Sequence, residues 1–182
     1  RYLEVEVALA KAQARLGIIP DKAAKEIAAK AKIDIIDFER LRKETERVGY
    51  PILPLVRQIT ERCADGLGEY AHWGATTQDI MDTALVLQIR QSLELLEHDL
   101  RAVSLQLRRL SQQYRDPPMA GRTHLQHALP TTFGLKCAIW LGMVERNLER
   151  LQELRPRVLV GQFAGAGGTL ASLGTRGLEV QA

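Results

Sequence analysis

Cysteine is scarce: Cys63 and Cys137 are the only two in 182 residues, they lie far apart, and neither sits in a paired motif. Both fall in apolar stretches of helical pattern, which reads as buried free thiols rather than a disulfide and so points to a reducing cytosol. No apolar run approaches the ~18 residues needed to span a bilayer, and no signal peptide opens the sequence, so a soluble, cytoplasmic protein without membrane contacts is expected. Like charges never run to five in a row. The 25 Lys+Arg against 22 Asp+Glu leave a net charge of only +3, and despite a pI near 9.0 this intermixed pattern does not indicate nucleic acid. Aromatic residues make up just 5%, yet 46% of the chain is hydrophobic, which excludes disorder. Alternation of apolar and polar residues is also missing, so the chain reads as all-α.

What is present is helical spacing. Leu3, Val7, Ala10 and Ala14 mark a first helix over residues 2–16, stopped by Gly17. Pro20-Asp21 opens a second, Ala-rich helix to about Lys32, and a third runs from about Asp34 to Val48, ended by Gly49. Tyr50-Pro51-Ile52-Leu53-Pro54 is predicted to be an extended connector, because each residue before a proline is pushed away from helical angles. Leu55 to Cys63 then makes a short helix.

The next helix is the long one. It starts at Thr76 or Thr77, either a good N-cap, with Asp79 and Asp82 complementing the dipole of its first turn. No Pro or Gly follows until Pro117, and Leu85, Ile89, Leu93, Leu96, Leu100, Val103, Leu107 and Leu110 step by fours and threes along a packing seam. Its ~38 residues would span about 57 Å, whereas a compact globule of this chain length is about 40 Å across. Such a helix is expected to protrude from a compact monomer. After Asp116-Pro117-Pro118 a short loop leads to another long helix from near Pro130, to be kinked or ended by Pro156. Two antiparallel helices with broad apolar faces need others to cover them.

Three segments combine glycine, hydroxyl and histidine beyond what packing requires. His72-Trp73-Gly74-Ala75-Thr76-Thr77-Gln78-Asp79 enters the long helix. Free N–H groups and two hydroxyls there suit a carboxylate or phosphate, although a plain N-cap with a packed Trp-His pair fits equally. Gly121-Arg122-Thr123-His124-Leu125-Gln126-His127-Ala128-Leu129-Pro130 crowds an anion partner, a hydroxyl and a proton-transfer group into one loop. His124 and His127 could instead be turn histidines or metal ligands, but no Asp, Glu or Cys of matching spacing supports a metal. His98, between Glu97 and Asp99, reads as a solvated surface residue. Gly161-Gln162-Phe163-Ala164-Gly165-Ala166-Gly167-Gly168-Thr169 permits close approach to an anion or to another helix and is not a dinucleotide fingerprint.

Taken together, in this order and spacing, the three segments resemble the fumarase/aspartase superfamily, also called the adenylosuccinate lyase superfamily. The resemblance implies a homotetramer whose long helices form a shared bundle, with active sites assembled from several subunits. It implies a small polycarboxylate substrate, an aci-carboxylate carbanion intermediate and no cofactor or metal. By similarity His124 is the general acid or its helper, and Thr123 and Arg122 support it. Thr76 and Thr77 hold a substrate carboxylate and His72 lines the pocket, with Gln78, Gln126, Gly165 and Gly167 completing the binding set.

Adenylosuccinate lyases usually carry a His-Asp pair where this sequence has Gly49-Tyr50-Pro51-Ile52-Leu53-Pro54-Leu55-Val56, without histidine. The connector and Lys136-Cys137-Ala138-Ile139-Trp140 look closer to the 3-carboxy-cis,cis-muconate cycloisomerase branch. Adenylosuccinate lyase or another fumarate-eliminating lyase is the alternative, and a helical oligomerisation scaffold or a metal-dependent helical hydrolase are the rivals from other classes. Residues 1–75 are expected to form an N-terminal helical domain and 76–182 the first part of the bundle. The chain starts at Arg1 and stops in mid-pattern at Ala182, and the Ser-Ser-containing mobile loop that supplies the family's base is missing. It therefore reads as the front part of a larger subunit, inactive alone.

Overall fold

The structure, a computed structural model, describes residues 1–182. In chain order the helices are α1 (Tyr2–Arg15), α2 (Asp21–Lys30), α3 (Phe38–Val48), α4 (Ile52–Arg62), α5 (Thr77–Gln113), α6 (Phe133–Val158) and α7 (Gly177–Gln181). Between α5 and α6 lie two antiparallel strands, β1 (Pro118–Thr123) and β2 (Gln126–Thr132). The expected helical architecture holds, with this hairpin as the exception. The chain gathers into two compact units, Arg1–Gln88 with Val160–Ala182, and Ile89–Leu159.

Two apolar clusters build the first unit. Ala10, Ile19, Ala24, Ile27 and Ile59 join α1, α2 and α4, while Leu9, Ile52, Ile80, Leu173 and Val180 join α1, α4, the start of α5 and the C-terminal segment. Ile27, Ile52 and Ile59 are wholly buried, each contributing roughly 1.5–3 kcal/mol. α1 ends as the sequence suggests. Gly17, at φ 68°, donates to the Ala14 carbonyl and Ile18 to that of Gln13, the paired bonds of a Schellman stop.

Four local expectations are corrected. Residues 50–54 are not extended: Pro51 adopts helical angles and α4 begins at Ile52. Pro54 falls in the first turn, where its missing N–H would have had no intrahelical acceptor, and burial of Ile52 and Leu55 outweighs the pre-proline preference. The helix expected from Asp34 splits into a 3₁₀ turn over Ile33–Ile35 and α3. The break falls at Asp37, whose carboxylate accepts the Arg40 N–H at 2.9 Å and whose own N–H donates to Gln58 Oε1 at 2.8 Å.

The supposed loop after Pro118 is the hairpin. No residue of its strands is fully buried, and the half-buried Met119, Ala120 and Gly121 are consecutive rather than alternate, so no one-sided alternation marks them in the sequence. α6 consequently starts at Phe133 rather than near Pro130, capped by Thr132, whose hydroxyl accepts the Leu135 N–H at 3.0 Å. Pro156 lies within its last turn, and the helix continues only to Val158.

The second unit holds α5 from Ile89, the hairpin and α6. Leu93, Cys137 and Leu148 are buried. Glu97 bonds Arg155 at 2.7 Å and Arg101 at 2.6 Å, while Ser104 donates to Glu145. Phe133 packs edge-on between Tyr114 and Trp140. Leu95, Leu96, Val103, Leu105, Ile139 and Met143 stay exposed. Both cysteines are free: Cys137 is buried, whereas Cys63 is only partly so, and burial pushes its thiol up. No helix is long and apolar enough to cross a membrane.

Candidate functional site

The glycine loop lies against the start of α5 because of one carboxylate. Asp79, the third residue of α5, is 1% exposed. Its Oδ2 accepts the N–H groups of Thr76 and Gly165, and its Oδ1 that of Ala164, each at 2.9 Å. The bond to Thr76 is a capping-box contact, and the negative charge matches the helix dipole. One turn on, the Thr83 hydroxyl donates to the Gln162 carbonyl and accepts the Gln162 N–H, both at 2.9 Å. Asp79 and Thr83, four apart on one helix face, thus hold residues 162–165. Gly165 has φ 73°, and a Cβ there would stand 3.0 Å from the Gly74 carbonyl oxygen.

This geometry takes one N–H group out of the candidate anion site. The Thr76 N–H is not free, since Asp79 takes it. The N–H groups of Thr77 and Gln78 in the first turn keep no partner, and the half-buried Thr76 and Thr77 side chains have hydroxyls without a partner within the chain. Gln78 is exposed and donates to Asp82 at 2.6 Å. Gly167 is exposed in the loop, 3.9 Å from the Thr169 hydroxyl at its notional Cβ.

His72, four residues before Thr76, is in a left-handed conformation, φ 61°. Its Nδ1 lies 2.7 Å from Oε1 of Glu6, whose side chain is wholly buried in α1. Next to it, the Trp73 carbonyl accepts from Gln13 Nε2 at 2.6 Å, and Gln13 is also fully buried.

Arg122, Thr123, His124 and Gln126 belong to the second unit and form the hairpin tip. The register pairs Arg122 with His127 and Thr123 with Gln126, and strand alternation sends these pairs to opposite faces. His124 and Leu125 make the two-residue turn at φ 29° and 67°, a left-handed geometry usually given to Asn or Gly and therefore strained. A register shift beside Gly121 sets two β2 residues against it. A Cβ at Gly121 would come within 2.5 Å of the Leu129 oxygen, so only glycine fits.

All four tip residues are exposed, and none of their side chains has a hydrogen bond or ion pair. An open groove of about 440 Å³ runs along the hairpin. Its lining carries the cations Arg122 and Lys136 and no carboxylate, which suits an anion.

The structure therefore gathers His72, Thr76, Thr77, Gln78, Gly165 and Gly167 in one unit, and Arg122, Thr123, His124 and Gln126 in the other. His98 is exposed, as read. Sequence reasoning missed the roles of Asp79, Thr83, Glu6 and Gln13, and the presence of Lys136 in the groove. A signal existed for two of them: Glu6 and Gln13 are polar residues seven apart, on the same helical stripe as Leu3, Val7, Ala10 and Ala14.

Comparison with known proteins matches a family model described as Lyase over residues 2–181. Trans-aconitate decarboxylase 1 of Mycosarcoma maydis is 50% identical over 97% of this chain and 36% of its own length. The 3-carboxy-cis,cis-muconate cycloisomerase of Pseudomonas aeruginosa is 45% identical over 99% of this chain and 40% of its own length. A crystal structure of fumarate lyase from Mesorhizobium sp. BNC1 superposes with TM-score 0.94 at 60% identity, covering all of this chain and 43% of that one. The chain thus spans 36–40% of the length of these curated relatives.

Proposed function

Because the chain belongs to this lyase family, the fumarase/aspartase superfamily, we propose that the whole protein is a lyase or cycloisomerase acting on a small polycarboxylate, most specifically a 3-carboxy-cis,cis-muconate cycloisomerase. The observation that carries this reading is the hairpin tip. Arg122, Thr123, His124 and Gln126 stand in solvent without intramolecular partners, beside a groove lined by two cations and no acid. Packing gives no reason for that arrangement, whereas an anionic substrate does.

In the proposed reaction a substrate carboxylate oxygen adds to the substrate's own double bond and closes a lactone. The displaced electron pair moves onto the carbon next to a second carboxylate, giving an aci-carboxylate. His124 then delivers a proton to that carbon, or assists the group that does. Arg122 and Thr123 hold the developing charge, the class of interaction that supplies most rate enhancement in such steps. Thr76 and Thr77 bind a carboxylate, with His72, Gln78 and Gln126 lining the pocket and the backbone at Gly165 and Gly167 fitting closely around the ligand.

The proposal extends to a cytosolic homotetramer with shared active sites and no cofactor. Supporting it are the 37 residues of α5, about 56 Å long, and the uncovered leucines of the second unit. In that subunit residues 1–75 are the N-terminal helical domain and 76–182 the first part of the central bundle. Elimination of fumarate from adenylosuccinate is less favoured, because residues 49–56 contain no histidine.

The test is to assay the whole protein with 3-carboxy-cis,cis-muconate, adenylosuccinate and trans-aconitate, following ultraviolet absorbance. Consumption of the muconate alone is expected. Turnover of adenylosuccinate or trans-aconitate instead would reassign the branch, and inertness toward all three would overturn the substrate class.

A further inference from the structure

We propose that Glu6 is a positioning residue for His72, holding the imidazole with its Nδ1 edge toward α1 and its Nε2 edge toward the substrate-binding loop. This deepens the reading of His72 as a pocket residue and rests on it.

Glu6 lies on the buried stripe of α1, among Leu3, Val7 and Ala10, where packing alone calls for an apolar side chain. Instead a carboxyl group is sealed there, its side chain 0% exposed. One oxygen meets His72 Nδ1 at 2.7 Å, and Oε2 is buried with no partner at all. A buried carboxyl group with a single partner is costly to retain on packing grounds. The burial is explained if the pair itself is what the fold preserves.

The second observation concerns the backbone that presents His72. Its φ of 61° is strained for a residue with a Cβ and persists only where surroundings over-determine it. Two contacts from one helix do so. Glu6 fixes the ring, and two turns along α1 the buried Gln13 fixes the next carbonyl, that of Trp73, at 2.6 Å.

The chemical consequence follows from the donor inventory. With Glu6 as the carboxylate, which can only accept, Nδ1 carries the proton, and the neutral ring is then held as the tautomer with a free lone pair on Nε2. No other hydrogen bond touches the ring, and the side chain is 21% exposed. The Nε2 edge, opposite Glu6, is thereby presented as an acceptor of fixed direction for a hydroxyl or protonated carboxyl of the ligand, or, once the ring is protonated, as a donor to a carboxylate.

The test uses the whole protein labelled with ¹⁵N in the histidine rings, with the His72 signals identified by their loss in His72→Asn. At mildly alkaline pH, wild-type His72 is expected in the Nδ1–H form, and Glu6→Gln to shift it toward the usual Nε2–H form. An Nε2–H ring or a tautomer mixture in the wild type overturns the proposal, without any variant at position 6 and without any assay. In kinetics, Glu6→Gln should lower kcat/KM by about tenfold or more, but have little further effect in a His72→Asn background. An equal loss in both backgrounds would mean that Glu6 acts through general structure, and would sink the idea. Should the tautomer be as expected while no polycarboxylate is turned over, the positioning stands and the enzymatic reading fails.

Discussion

The side-chain carboxylate of Asp79 accepts the backbone N–H of Gly165 at 2.9 Å, across 86 positions of sequence. The same carboxylate takes the N–H groups of Thr76 and Ala164. Through these three bonds the first turn of α5 and the glycine loop become one surface.

Replacing Asp79 should therefore cost stability before it costs chemistry. Asp79→Ala leaves three N–H groups without their charged acceptor, a loss of about 3–5 kcal/mol. Asp79→Asn keeps one acceptor oxygen and should lose less. Urea midpoints of the two variants against wild type measure this, and equal midpoints for wild type and Asp79→Ala would refute the coupling.

Glycine at 165 is needed for two reasons that can be separated. Gly165→Ala meets both a left-handed φ and the Gly74 oxygen at 3.0 Å, while Gly17→Ala, at φ 68°, finds nothing within 4 Å. The Gly17 variant should cost about 1 kcal/mol from backbone strain alone. Gly165→Ala should cost more and also weaken substrate binding, read as a raised KM.

His124→Ala should behave in the opposite sense. The side chain is exposed and unpartnered, so the melting temperature should stay within a degree or two of wild type, while the rate falls about 10²-fold or more. A scaffold in which the hairpin only shapes a turn would keep its function in this variant.

The pairing of α5 with α6 should be sensitive to acid. Hydrogen bonds from Arg101 and Arg155 hold the Glu97 carboxyl below its usual range. A group depressed on folding stabilises the fold above its unfolded pKa of about 4.3, and that contribution disappears as pH falls through the lower folded value. Glu97→Gln should be less stable than wild type at pH 7 and should show a shallower decline in melting temperature between pH 5 and pH 3, both at low ionic strength.

Chelators should leave the rate of the whole protein unchanged. The proposed chemistry runs on protons and fixed cations and uses no metal ion. Loss of activity on EDTA treatment, restored by a divalent metal, would favour the metal-dependent hydrolase instead.

Much of this protein was legible in the chain itself. Helix spacing from Leu3 to Ala14 and from Leu85 to Leu110, together with the stop at Gly17, gave α1 and α5 because those signals are local: a 3.6-residue period and one left-handed angle. The motif segments pointed to the family for a similar reason, since their residue types and order carry the resemblance before any folding is considered.

Tertiary structure decided what depends on distant partners. The hairpin had no signal because neither of its faces is fully buried, and its turn residues, His124 and Leu125, are not turn formers. The helical start at Ile52 was set by burial of Ile52 and Leu55 rather than by the prolines around them. Asp79 looked like a dipole-matching acid, yet its main partners lie 85 and 86 residues away. Glu6 falls on the apolar stripe of α1 in the sequence, but its partner His72 is 66 residues away, and only packing brings the two together. Sequence fixes which groups are available and on which local face they fall. Packing alone brings a carboxylate within 3 Å of a particular N–H or imidazole, and the chemistry here depends on those approaches.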